Sequence, residues 1–156
     1  MIKNKKALTL MIVAIIVNSC TIRSMNDSET SLDELKRQVI QNKDPEAYDD
    51  LLTSYLDYDT KESFYYSLVA ANRDNNPQAY YDVFSTLESL YSKGLADMDA
   101  DLRDIAMLYL QKSASLSHYQ ATDELSEMYI EGKFIAQDTI LGRKLKERAE
   151  QIYKSK

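Results

Sequence analysis

One stretch of this sequence occurs twice. Asp44-Pro45-Glu46-Ala47-Tyr48-Asp49-Asp50-Leu51 returns 32 residues later as Asn76-Pro77-Gln78-Ala79-Tyr80-Tyr81-Asp82-Val83, with Pro, Ala, Tyr and Asp shared in order. A chain with such a period is built from like units that bury their apolar faces against neighbours, not around one centre. Both copies begin with a capping residue followed by Pro, which suits a helix start because the first helical position has no use for an amide. The chain has only two prolines, and both stand at this position.

A third copy begins near His118, where Tyr119-Gln120-Ala121 precedes Leu125, Met128 and Tyr129, 42 residues after the second. The ten extra residues fit a loop over 93–100 that contains Gly94 and ends in Asp99 as a cap, followed by a longer helix. Leu102, Ile105, Ala106, Leu108, Tyr109 and Leu110 give that helix one broad apolar face. The pattern predicts a first helix over 32–41, then pairs at 45–57 and 61–73, 77–92 and 101–116, and 119–131 and 139–153. Sustained alternation is absent and there are only three glycines, so little in the sequence favours hairpins. The expected fold class is all-α. Gly142, inside the last helix, costs about 1 kcal/mol in helix propensity relative to Ala and predicts a close helix contact.

The N-terminus reads as an address. Lys3, Lys5 and Lys6 precede an apolar run from Ala7 to Val17 that is broken only by Thr9, and at 11 residues it is too short to span a bilayer. Val17-Asn18-Ser19-Cys20 resembles the lipobox of bacterial lipoproteins, in which the Cys follows a small residue and stands three after an aliphatic one. Asn18 departs from the commoner small or hydroxylated residue. The resemblance implies diacylglyceryl transfer to the Cys20 thiol, cleavage before Cys20, and a domain outside the cytoplasm. The alternatives are an ordinary cleaved signal with a stray Cys, or a buried structural Cys. The expected organisation is a signal peptide over 1–19, a flexible polar tether over 20–30 and a helical-repeat domain over 31–156. Three of the 19 basic residues lie in the signal, which leaves 16 against 25 acids, a net charge of −9.

Leu125, Met128, Tyr129, Gly132, Ile135 and Asp138 resemble the signature of the Sel-one-like (SLR) repeat, a tetratricopeptide-like helical hairpin. Leu87, Leu90, Tyr91 and Gly94 carry the same spacing, and Ala106, Tyr109, Lys112, Ser113, Ala114 and Ala121 resemble the second helix and its junction. The first copy keeps Tyr65, Tyr66, Ala70 and Ala71 but lacks the Gly. This resemblance, over roughly residues 45–153, implies a short right-handed α-solenoid of about three antiparallel helix pairs whose surface binds another protein.

Counting narrows the chemistry. An excess of acids gives sequence-independent nucleic-acid binding no electrostatic basis. One His and one Cys cannot build the usual multi-histidine metal site or an internal disulfide, so no metal or cofactor is expected. His118 is read as a junction residue bonding a helix end. The acid pairs Asp49/Asp50 and Asp123/Glu124 could in principle serve a cell-wall-acting enzyme, but neighbours along a helix do not face one another, which disfavours that class. Of the tyrosine doublets, only one member each can point fully inward, and Tyr81 is expected to be the more exposed of its pair. Placing Ala47, Leu51, Tyr55, Ala79, Val83, Leu87, Ala121, Leu125 and Met128 in the core leaves Asp49, Asp50, Asp82, Glu88, Asp123, Glu124 and Glu127 on the opposite faces. Those acids and Tyr81 are the candidate contacts for a basic protein partner, with Cys20 holding the lipid. A scaffold or adaptor of the cell envelope is the leading expectation, and an immunity protein neutralising a basic toxin is the alternative.

Overall fold

The three copies of the motif start their helices in the same way in the computed structural model, which describes residues 30–55 and 60–155. Asp44 Oδ1 accepts from the amides of Glu46 and Ala47 at 3.0 and 3.3 Å. Asn76 Oδ1 accepts from Ala79 N–H at 3.1 Å, and His118 Nδ1 from Ala121 N–H at 3.3 Å. Each cap occupies amides that the first turn of a helix leaves without a partner. The residue just before each cap, Lys43, Asn75 or Ser117, has positive φ (57°, 53° and 66°). A side chain in that region costs roughly 1–2 kcal/mol, so the same strained turn, held at three equivalent places, is what reverses the chain between units. None of the three is Gly, although Asn75 is of a type that enters this region more readily than most.

The helices are α1 (Leu32–Arg37, continued by a wider π-turn over Gln38–Asn42), α2 (Pro45–Tyr55), α3 (Thr60–Asp74), α4 (Pro77–Ser89), α5 (Ala100–Ser115), α6 (Tyr119–Glu131) and α7 (Thr139–Lys154). A short 3-10 turn, Gly94–Ala96, lies between α4 and α5. The described residues contain no strand, and the chain is all-α as expected. It divides into a unit Met1–Glu34 and a unit Leu35–Lys156. In the first, the described residues hold the start of α1, where Ser31 Oγ accepts from Glu34 N–H. The expected signal peptide, Cys20 and nearly all of the tether lie outside the described residues.

Within Leu35–Lys156 each helix packs chiefly on the next in the chain, α2 on α3 through to α6 on α7, the last of these contacts being the most extensive. Small residues are buried throughout: Ala47, Ala79 and Ala121 at equivalent positions of the motif, and also Ala70, Ala71, Ala106, Ala114 and Ala149. Leu51, Val83, Leu87, Leu125 and Met128 are buried as the periodicity requires. The side chain of Tyr55 is outside the described set. Arg73, near the end of α3, donates to the carbonyls of Val39 and Ile40 and ion-pairs with Asp74, which ties the π-turn down where helix carbonyls lack amides.

Two spacings in the sequence turn out to be incompatible along one helix. The motif starts are 42 residues apart, whereas Leu87-Leu90-Tyr91-Gly94 and Leu125-Met128-Tyr129-Gly132 are 38 apart, a difference of one helical turn. The start register holds, because α4 and α6 are both 13 residues long. Gly132 therefore sits directly after α6 as a left-handed C-cap, its amide bonding Met128 O at 2.9 Å. Gly94, also left-handed, lies in the loop beyond α4, and Leu90 is 65% exposed while Met128 is buried. The expected extension of this helix to residue 92 is lost for the same reason.

Candidate interaction surface

The acid at the sixth helical position of each copy, Asp50, Asp82 or Glu124, follows one logic. Asp82 lies half-buried between α4 and α2, where its Oδ2 is 2.8 Å from the Tyr48 hydroxyl and its Oδ1 accepts from Gln78 Nε2 at 2.9 Å. Glu124 lies half-buried between α6 and α4, with Oε2 accepting from the Tyr81 hydroxyl at 3.4 Å. In both cases a tyrosine of one motif helix reaches the carboxylate of the next. Asp50, on the first helix of the series, is exposed. Asp82 and Glu124 are thus not on the opposite, solvated face where the periodicity put them. Their position on a single helix is peripheral, but the neighbouring motif helix covers it.

Burial sets the protonation of these groups. It pushes the Glu124 carboxyl up to about 7, with the nearby charge of Glu88 and then Glu127 acting the same way, while the bond from Tyr81 opposes it. Burial likewise raises Asp82, against the bonds from Tyr48 and Gln78. The Tyr48 phenol, buried and beside Asp82, is pushed far above the usual tyrosine range, and burial followed by Glu124 takes Tyr81 up to about 12. Both phenols therefore stay protonated at physiological pH, as donors to the carboxylates.

A polar chain crosses all three motif helices. Ser67 on α3 bonds Tyr48 at 2.9 Å, Tyr48 bonds Asp82, Asp82 bonds Gln78, and Gln78 Oε1 lies 2.8 Å from His118 Nε2. With His118 Nδ1 accepting the Ala121 amide, Nε2 is the ring nitrogen placed to donate to Gln78 Oε1. The Tyr81 ring packs on this imidazole with centroids 4.8 Å apart. His118 stands at the junction that the sequence suggested, its ring bonded to Gln78 and to the Ala121 amide. Gln78 and Tyr48 were not among the candidates. The signal that could have found them is a tyrosine in one copy and an acid at a shared position in the next.

The other candidates divide by neighbour. Asp123 is 2.7 Å from Lys146 Nζ on α7, and Glu127 is 3.6 Å from the same ammonium. Glu88 lies against Gly94, where a Cβ would come within 2.9 Å of its Cγ. Asp49 is exposed on α2 beside Asp50. Tyr81 is the less buried of its doublet, with Tyr80 only 8% exposed. At the starts of the motif helices an open cleft of about 470 Å³ is lined by Tyr48, Asp49, Asp74, Asn75, Gln78 and His118 among others. Asp74 there is held below the usual carboxylate range by its bond from Arg73. Among the described residues no group of three or more His, Cys, Asp or Glu is placed to hold a metal ion, and no helix is long and apolar enough to cross a membrane. No protein-family model matches the chain, and neither does any curated protein or solved structure.

Proposed function

We propose that this is a bacterial envelope lipoprotein, anchored through Cys20, whose helices form a short right-handed α-solenoid of antiparallel pairs similar to SLR repeats and whose motif-helix surface binds a basic protein. The observation that carries the binding part is the braced row of motif helices. Tyr48–Asp82 and Tyr81–Glu124 couple α2, α4 and α6 through hydrogen bonds, so the exposed acids Asp49, Asp50 and Glu127 belong to one connected series with the partly exposed Tyr81 among them. Aligned like charges speed capture of an oppositely charged protein, and salt weakens that capture by screening the attraction beyond a Debye length of about 8 Å at physiological ionic strength.

The test uses a partner captured by cross-linking from the cell-envelope fraction. Asp49→Lys, Asp50→Lys and Glu127→Lys are combined in one variant, which leaves the Tyr48–Asp82 and Tyr81–Glu124 bonds in place. Association is expected to slow by about tenfold at low salt and to lose most of its salt dependence. An unchanged on-rate and salt dependence would place the interface elsewhere.

Support for the anchor comes from the sequence. Each buried methylene of an acyl chain contributes about 0.8 kcal/mol, so two chains hold a protein on a bilayer stably. Cys20→Ser removes the acceptor thiol and is expected to move the protein from the membrane pellet to the supernatant. Sedimentation of Cys20→Ser with membranes after a high-salt wash would rule out a lipid at this residue.

A further inference from the structure

The junction between α4 and α6 places an acid where two like charges and a phenol meet. Glu124 leans from α6 into α4, where it meets the Tyr81 hydroxyl and the Glu88 carboxylate. Glu127 is one turn further along its own helix, and Lys146 of α7 is spent on Asp123 and Glu127. His118, at the head of α6, packs on the Tyr81 ring. The groups facing Glu124 from α4 are thus a phenol and a carboxylate, while Lys146 of α7 pairs with Asp123 and Glu127. The same element occurs at the α2–α4 junction, where Asp82 faces Tyr48 and Asp49 from α2. We propose that the Tyr81–Glu124 contact is a proton-operated brace: with Glu124 protonated, α4 and α6 are held together, and loss of that proton sets Glu124 against Glu88 and loosens the junction.

A protonated Glu124 can donate as well as accept, so the tyrosine hydroxyl and the carboxyl share a hydrogen bond without a buried charge. The ionised form keeps the bond from Tyr81 but brings a charge into a half-buried site beside another acid. In the unfolded chain Glu124 titrates as an ordinary glutamate, near 4.3. In the folded chain it titrates near 7. Folding therefore takes up a proton between these values, so the stability of this junction is full below about 4.3, falls as pH rises toward about 7, and is lost above it. The direction is opposite to that of most surface carboxylates, which are held below their ordinary values by cations.

The full-length chain in nonionic detergent is compared at pH 5.5 and 8.5 by hydrogen–deuterium exchange, corrected for the intrinsic chemical rate. Amides of residues 77–89 and 119–131 are expected to exchange about tenfold faster at pH 8.5, while those of α3 change little. Glu124→Gln keeps an oxygen for Tyr81 and removes the charge, so both pH values are expected to give the slow rate. Equal exchange of the wild-type chain at the two pH values overturns the proposal, as does a pH difference that persists in Glu124→Gln. Carbon-13 titration of the Glu124 carboxyl in the wild-type chain needs no variant to fold. A midpoint above 6 is expected, and one near 4.5 overturns the brace.

Discussion

Phe84→Ala is expected to destabilise the chain by about 3–5 kcal/mol, the range for deleting a fully buried aromatic ring. Phe84 is 0% exposed on α4, and α4 packs on both α3 and α5. Tyr81, whose ring centroid is 6.2 Å away, loses part of its support as well. Because helices here pack mainly on their neighbours in the chain, a cavity at α4 weakens the contacts on both sides at once and cannot be shared with a distant core. A domain of this size has about 5–15 kcal/mol of stability in all, so the loss is a large fraction of it. The urea midpoint is expected to fall steeply and the transition to broaden, with α6 and α7 melting after α2–α4. Tyr65→Ala, at a 55% exposed position on α3, serves as the control and should change stability by less than about 1 kcal/mol. A loss below about 1.5 kcal/mol in Phe84→Ala would mean that α4 is not the centre of the packing.

What could be read from the sequence was local. The caps Asp44, Asn76, His118 and Asp99 lie next to the amides they serve, so helix starts followed from residue type and spacing. The buried alanines followed from periodicity, since a face repeated every 3.6 residues is a property of one helix. The acids did not follow. Whether Asp50, Asp82 or Glu124 meets water depends on whether another motif helix precedes it, and the partner tyrosines lie 34 and 43 residues away. The left-handed turns at Lys43, Asn75 and Ser117 were hidden for a related reason: tertiary packing holds them, with no glycine to announce them. The middle copy's Leu90 shows a limit of motif spacing, because a match of residue types cannot tell a helix end from one turn past it.

Gly142 tests the opposite case, where sequence alone indicated a contact whose severity depends on what lies across from it. In an isolated helix Gly142→Ala would gain about 1 kcal/mol. Here a Cβ would stand 2.6 Å from Ile130 Cγ1, 2.9 Å from Ser126 O and 3.0 Å from Ile130 N. The Ile130 side chain is 36% exposed and can turn aside, but the Ser126 carbonyl and the Ile130 amide are backbone of α6. They cannot turn aside, so the clash is relieved only if α7 is displaced, at an overpacking cost of about 1–3 kcal/mol, and Gly142→Ala should end roughly 1 kcal/mol less stable than wild type. Gly142→Leu has the same propensity gain and must place three further carbons in the same gap, so it is expected to lose about 3 kcal/mol or more. Displacing α7 also removes the Lys146 bridge to Asp123 and the bond from Arg148 to Ser117, so faster amide exchange should spread across residues 139–154 before α4 is affected. If Gly142→Ala proves as stable as wild type in urea, α6 and α7 can separate by a few tenths of an ångström at little cost, and helix propensity rather than close packing decides this position.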